Sequence, residues 1–266
     1  MRILILTSSR KGTASYCLPL IAKSPSVEVS MVIFNQVTGK KDFGFYRKKL
    51  KKVFKIGVWG TWNGIRMRKW YNEDVHEMLE LKDVELVCQQ LKIPFRAVHG
   101  INTEETANLF REANAELGLS LGNSYIGKRI FSIPKYGMIN IHGELLPQFK
   151  NAQSVIWQLY QGNINTGYTI HEINSKIDDG AILRREEVPI IFKSSLAQTV
   201  TSTCAEILRR AAAGLLDILD NFAEYRNKKS TPGAGTSYTT PSYRQFLAIR
   251  RNFENLKKKQ STSQSN

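Results

Sequence analysis

Residues 2–7 and 27–34 are apolar runs of strand length, and the pattern over 13–23 between them is helical, ended by Ser24-Pro25. Strand, helix and strand in that order predict a parallel sheet. Val84, Val87, Cys88 and Leu91 mark a further helix, followed by a strand over 93–98 that His99-Gly100 closes; His99 reads as structural. Asn102 with Glu105 three residues on is a capping pair, which predicts a helix running to Leu117 with Gly118 as its stop. A brief strand over 119–121 and a turn over 128–134 lead to an apolar run at 138–141. Residues 152–161 read as a helix with Val155, Ile156, Leu159 and Tyr160 inward and Trp157 in packing, ended by Gly162. The strand expected over 168–173 carries polar groups on both faces and so need not be fully buried. Another strand, over 181–191, includes a segment Arg184-Arg185-Glu186-Glu187 that reads as exposed.

Leu196, Val200, Cys204, Leu208, Ala211, Leu215, Ile218 and Phe222 recur at three-to-four spacing, which predicts one helix over 195–226 capped by Ser194 or Ser195. Beyond 231 the chain is polar and broken by Pro232, Gly233, Gly235 and Pro241. Residues 243–259 can form a short basic helix, and 260–266 read as disordered. The pattern predicts an α/β fold: a mostly parallel sheet with helices on both faces over 1–194, then a C-terminal part, 195–266, made of the long helix and the basic tail.

No run of about eighteen apolar residues occurs, so no spanning helix is expected. The apolar start is too short for a signal peptide, which suits a cytoplasmic protein. Cys17, Cys88 and Cys204 are scattered with no CxxC pair, which argues against a disulfide frame or a zinc site.

The net charge of +15 favours a polyanionic partner or surface, and it is local. Between 40 and 70, eleven cations face one acid, Asp42, leaving +10 of the total there. Phe43, Phe45, Tyr46, Phe54, Trp59, Trp62 and Trp70 are interleaved with them. Apolar positions 46, 50, 53, 54 and 58 recur at helical spacing, while Gly57, Gly60 and Gly64 make the second half read as a loop. Three readings stay open: a solvated basic face, a helix lying on an anionic membrane surface, or a patch gripping acceptor phosphates or RNA. The first also fits an ordinary insertion after the second strand. The second would place the protein at the inner face of a membrane.

The connection after the first strand contains Arg10, Lys11, Gly12 and Thr13 at a helix start, where backbone N–H groups can meet a phosphate. No full GxGxxG or Walker pattern accompanies it.

The richest chemistry lies in residues 137–180. Asn140 and His142, two apart on a strand, point to one face. Asp178 sits in the turn Asp178-Asp179-Gly180. An amide can donate to a carbonyl oxygen that becomes negative, an imidazole can shuttle a proton, and a carboxylate can orient that imidazole and favour its charged form. His171, inside the next strand, is the one rival to His142.

This stretch resembles the folate-dependent formyltransferase family, which includes glycinamide ribonucleotide, methionyl-tRNA and amino-sugar formyltransferases and formyltetrahydrofolate hydrolase. Asn140-Ile141-His142, Leu145-Leu146-Pro147, Thr166-Gly167-Tyr168-Thr169 and Asp178-Asp179-Gly180 match its motifs in order. Glu144 stands where the family usually has Ser, and Asn151 where it has Gly, which puts the acceptor in question. The resemblance covers residues 1–190 and implies a Rossmann-like formyltransferase fold. It implies Asn140, His142 and Asp178 as catalytic residues and 10-formyltetrahydrofolate as co-substrate, with no metal. It implies that Gly122, Asn123, Ser124 and Tyr125, with Asp178 and Asp179, hold the folate. Gly12, Thr13, Glu144 and Asn151 are the candidates for acceptor contacts.

The glycinamide enzymes carry Gly-Ser-Asn in the first loop, and Gly12-Thr13-Ala14 departs at the Asn. The tail after 231 is shorter than the C-terminal barrel of the methionyl-tRNA enzymes, which counts against a tRNA acceptor. The expected acceptor is therefore a small amine, an amino sugar on a nucleotide or lipid carrier. A formyltetrahydrofolate hydrolase, a tRNA- or glycinamide-type enzyme, and a folate-binding protein without turnover are the alternatives.

Overall fold

The computed structural model describes residues 1–36 and 43–263. Lys40, Lys41 and Asp42 of the basic segment, the side chains of Phe43, Phe45, Tyr46, Lys48, Lys49 and Lys52, and the last three residues of the expected disordered end lie outside what is described.

The elements in chain order are β1 (Arg2–Thr7), α1 (Thr13–Ile21), β2 (Glu28–Asn35), α2 (Phe43–Tyr71), α3 (Glu73–Met78), α4 (Val84–Leu91) and β3 (Phe95–Val98). Then come α5 (Glu104–Ala113), β4 (Leu117–Ser120), α6 (Lys128–Phe131), β5 (Met138–His142), β6 (Phe149–Lys150) and α7 (Ile156–Tyr160). The chain continues through β7 (Asn165–Glu172), β8 (Ile182–Pro189), α8 (Leu196–Asp220), α9 (Phe222–Lys228), β9 (Thr236–Ser237) and α10 (Tyr243–Ser263).

Seven strands form one sheet in the order β3-β2-β1-β4-β5-β7-β8. The first five are parallel, and β7 and β8 are antiparallel. The alternation in β1 explains the two layers. Ile3 and Ile5 enter the cluster that α1, α4 and α8 cover. Leu4 and Leu6 enter the opposite one, under α5 and α6. The strand order reverses direction between β1 and β4, where the loops at the carboxyl ends of strands part and a crevice opens.

Several expectations are corrected. Thr103, not Asn102, caps α5, accepting from Thr106 N at 3.3 Å, and Asn102 instead holds Tyr125 O and Gly127 N. That helix stops at Ala113, where Asn114 turns left-handed (φ 46). Leu117 and Gly118 belong to β4, because the sheet needs an apolar strand between β1 and β5. Only five residues of 152–161 are helical, and Tyr160 faces solvent. Most of β7 is buried despite its polar residues: Tyr168, Thr169 and His171 each find a hydrogen-bond partner, while the buried Thr166 hydroxyl has none among the described residues. Arg184 and Glu186 are half-buried, paired with each other and, through Arg184, with Asp217.

The helix expected over 195–226 breaks at Asn221. α8 covers the sheet, with Ala211, Leu215 and Ile218 in the main core. Gly60 and Gly64 do not end α2. They are close-packing points, where an added Cβ would meet Tyr243 N at 3.2 Å and Thr240 Cγ2 at 2.8 Å. Gly57 alone leaves helical geometry, at φ 77, and kinks the helix. Nor is the tail loose: Phe246, Ile249 and Phe253 of α10 are buried against Met67, Trp70, Ile156 and Val200.

Candidate active site

β5 carries Asn140 and His142 to the carboxyl edge of the sheet, between β4 and β7. Asn140 Nδ2 lies 3.3 Å from His171 Nε2, on the neighbouring strand. His142 Nε2 lies 3.1 Å from the carbonyl oxygen of Phe149. A carbonyl only accepts, so Nε2 carries a proton and Nδ1 is the nitrogen turned toward Asp178. Nδ1 and Asp178 Oδ1 are 3.8 Å apart, an ion-pair distance rather than a hydrogen bond. Asp178 is fixed from its other side, where Asn151 N–H donates to Oδ2 at 2.9 Å. Asn151 has φ 51, which explains the family's glycine there: asparagine is among the few other residues that tolerate this region. Its side chain donates to Tyr238 O.

These groups open on one cavity of about 340 Å³, within the range of small-molecule sites. Asn140, His142, His171 and Asp178 form one side of it, and Gly122, Asn123, Ser124 and Tyr125 another. The side chain of Asn123 is engaged in the fold, donating to Leu6 O at 2.6 Å and Ser120 Oγ at 3.1 Å and accepting from Ser8. What that residue offers a ligand is therefore backbone. Asn151, Asn174 and Lys176 also line the cavity. Asn174 and Lys176 sit between the Thr-Gly-x-Thr and Asp-x-Gly motifs, where the sequence carried no periodic or motif signal for them.

Burial on β7 depresses the basicity of His171, and the neighbouring His142 adds to the effect. That lowering favours the neutral ring, against the pull of Asp178 Oδ1 4.0 Å from Nε2, and Nδ1 faces Glu172 O at 2.9 Å. Nδ1–H therefore donates there, and the Nε2 lone pair accepts from Asn140. His171 thus belongs to the site as the group that orients the Asn140 amide.

Four of the expected contacts lie elsewhere. Glu144 does not face the cavity; it is buried, and Gln158 donates to its carboxylate. Its burial pushes the carboxyl well above the usual range, against the pull of hydrogen bonds from Gln158 and Ser154. Asp179 is held by Lys150, which keeps its carboxyl below the usual range, and it does not line the cavity. Gly12 N–H donates to Ser15 Oγ at 3.0 Å, so it is not free for a phosphate. Thr13 lines a separate cavity of about 190 Å³ with Tyr71, Gly143 and Ser154.

The Thr-Gly-x-Thr motif shapes the turn after His142. Thr169 Oγ1 donates to Glu144 O and accepts from Leu146 N, pinning both sides of the turn. Gly167 leaves room for Leu145, whose Cδ2 would lie 2.5 Å from a Cβ built there.

Residues 66–208 match the family model for formyl transferase. The chain belongs to the formyl transferase family. The match includes all four motifs and the whole of β5 and β7. Among the relatives, the methionyl-tRNA formyltransferase of Trichodesmium erythraeum (strain IMS101) is 33% identical over 129 residues, 48% of this chain and 36% of that protein. The chain spans 36% to 48% of the length of the first such relatives, half of it or less. Among solved structures, phosphoribosylglycinamide formyltransferase from Anaplasma phagocytophilum superposes with a TM-score of 0.58 at 20% identity, covering 90% of this chain and 99% of that one. A sugar N-formyltransferase from Shewanella sp FDAARGOS_354 gives 0.56 at 15% identity, covering 95% and 87%. At these identities the two structures show the fold, a Rossmann-like formyltransferase sheet with a C-terminal helical extension.

Proposed function

We propose that the chain moves a formyl group from 10-formyltetrahydrofolate to a primary amine. The observation that carries this reading is the convergence of Asn140, His142 and Asp178 on the cavity that the 122–125 loop also lines. The residues present fit a pterin: backbone groups of 122–125 offer donors and acceptors to its rim, and Ile126, Ile141 and Ile173 offer apolar surface to its faces. The donor, when bound, supplies an activated formyl carbon next to a nitrogen leaving group.

Asn140 keeps one amide hydrogen on His171 and turns the other to the formyl oxygen, which becomes negative as the amine attacks. His142, through Nδ1, with Asp178 beside it, takes the proton that the amine nitrogen sheds as the new C–N bond forms. The same imidazolium returns a proton to the departing nitrogen as the old C–N bond breaks. His142 and Asp178 are 15% and 13% exposed, which limits competition from water as a nucleophile.

The acceptor we favour is an amino sugar on a nucleotide or lipid carrier. Two observations support it over glycinamide ribonucleotide and tRNA. The Gly12 N–H that could meet a phosphate is already paired. Arg47, Lys51, Lys55, Arg66, Arg68 and Lys69 are exposed along the same helix as Val58 and Ile65, which suit a membrane-proximal position better than a nucleic acid.

The deciding experiment measures tetrahydrofolate release from 10-formyltetrahydrofolate with and without a panel of amines. The panel holds nucleotide-linked amino sugars, glycinamide ribonucleotide and methionyl-tRNA. Release that depends on one amine identifies the acceptor. Release without any amine would make the protein a hydrolase, and binding without release would make it a folate-binding protein.

A further inference from the structure

α2 is apolar on two sides. Its inner side, Ile56, Gly60, Asn63, Met67 and Trp70, repeats at three and four residues and packs toward α8 and α10. A helix at the border of a folded core needs no second apolar side. Yet Leu50, Phe54, Val58, Trp59, Trp62 and Ile65 are all more than half exposed, Phe54 at 81% and Val58 at 73%. Val58, Trp62 and Ile65 stand four and three apart, so they share one outer stripe. The surface continues onto α10: the Trp59 ring lies 6.4 Å from that of Tyr243, and Leu247 is exposed one turn further on. Exposed apolar residues of this size normally stand singly; a contiguous patch marks a surface that something covers.

The surroundings of the patch say what covers it. No acid occurs between residues 43 and 72, and Lys51, Lys55, Arg66, Arg68 and Lys69 are exposed beside the stripe. Arg66 stacks on Trp62, its guanidinium carbon 4.8 Å from the ring centre. Arg244 adds a cation from α10. A partner with an apolar interior and an anionic skin matches this order of groups. A nucleic acid does not: phosphates would take the cations and bases the rings, but Leu50, Val58 and Ile65 would be left against water and phosphate. No helix among the described residues is long and apolar enough to cross a membrane.

We infer that the outer face of α2, with the start of α10, docks the chain on an anionic bilayer. The part of α2 after Gly57 lies in the interface plane, Trp59 and Trp62 sit at headgroup level, Val58 and Ile65 reach the acyl boundary, and the cations meet lipid phosphates. One strap links this face to the catalytic cavity. Thr240 packs against Gly64 of α2, Thr239 O accepts from Trp157 Nε1, and Tyr238 O accepts from Asn151, whose own N–H holds Asp178. Docking deepens the proposed choice of a lipid-linked acceptor, but it rests on the surface alone and stands or falls apart from formyl transfer.

The test is tryptophan quenching by brominated phospholipid in vesicles of phosphatidylcholine with phosphatidylglycerol, and in phosphatidylcholine alone. The protein has four tryptophans, and Trp70 and Trp157 are 7% and 3% exposed, so quenching reports Trp59 and Trp62. The expected result is quenching by anionic vesicles only, reversed by salt. Trp62→Ser with Ile65→Ser, and separately Arg66→Glu with Lys69→Glu, should each weaken vesicle partitioning at least about tenfold, at roughly fivefold per cation removed. Near-ultraviolet circular dichroism reports whether each variant is folded. Absence of binding to anionic vesicles, or binding unchanged in both folded variants, overturns the inference. So does a dimer that the Trp62/Ile65 variant dissociates without any vesicle binding, which would assign the stripe to a second copy of the chain. Binding of RNA in place of vesicles overturns it too.

Discussion

Asn140 Nδ2 and His171 Nε2 stand 3.3 Å apart across the β5–β7 pairing, and the neutral His171 ring is the acceptor. The imidazole therefore fixes which way the Asn140 amide faces. Asn140→Ala is predicted to lower kcat by about 10²–10³, the usual loss of one oxyanion donor. His171→Leu keeps an apolar volume at the buried position but frees the amide to rotate, and is predicted to lower kcat about tenfold or more with little effect on donor binding. The double variant should be no slower than Asn140→Ala alone, since His171 acts through that amide. Additive losses in this cycle would show that the two residues work independently.

Asp178 accepts from Asn151 N–H and faces His142 Nδ1. Asp178→Asn keeps the shape and an acceptor oxygen for Asn151 but removes the charge beside the imidazole. The expected loss in kcat is about 10²–10⁴, with the unfolding temperature little changed. Normal turnover in this variant, with the fold intact by circular dichroism, would remove Asp178 from the proton path.

The strands and the triad were legible in the sequence because each had a short-range signal. β1 and β2 are unbroken apolar runs, and Asn140 and His142 share a face by period two alone. His171 was legible only as a rival to His142, because its role comes from a neighbouring strand, and pairing partners are not written locally. Glu144 illustrates the opposite failure. Its place in the motif, where the family usually has Ser, made it a candidate acceptor contact, whereas the turn folds it inward onto Gln158. The glycines of α2 misled for a related reason: Gly60 and Gly64 serve contacts with residues about 180 positions later. The buried side of α10 was hidden as well, because an isolated basic helix shows no sign of the groove that Trp70 and Ile156 prepare for it.

Glu144 makes stability depend on pH in a stated direction. Burial raises its folded-state affinity for a proton above that of the unfolded chain, whose glutamates titrate near about 4.3. The contribution is whole below that value and is lost as pH rises toward the raised folded value. Glu144→Gln keeps the neutral shape and removes the titration. We predict that this variant unfolds at a higher temperature than the wild type at neutral pH, with the gap closing toward pH about 4. Thermal unfolding followed across that range checks it. A gap that does not change with pH would mean that the carboxylate stays ionised in the fold.

Gly167 is where strand packing and the catalytic turn meet. A methyl group there would lie 2.2 Å from Glu186 O and 2.5 Å from Leu145 Cδ2. The carbonyl belongs to β8, so relief of the first contact must disturb the β7–β8 pairing. Leu145 belongs to the turn that Thr169 pins behind His142. Relief of the second contact must come from that turn, which moves the imidazole. Gly167→Ala is predicted to cost about 2–3 kcal/mol of stability, as overpacking does, and to lower turnover at temperatures where the protein is still folded. Gly233→Ala is the matched control, because an added Cβ there meets nothing within 4 Å. That substitution should stay within about 0.5 kcal/mol of the wild type and leave turnover unchanged. If Gly167→Ala behaves like the control in denaturant titration and in turnover, the close approach of Leu145 is not what positions the turn.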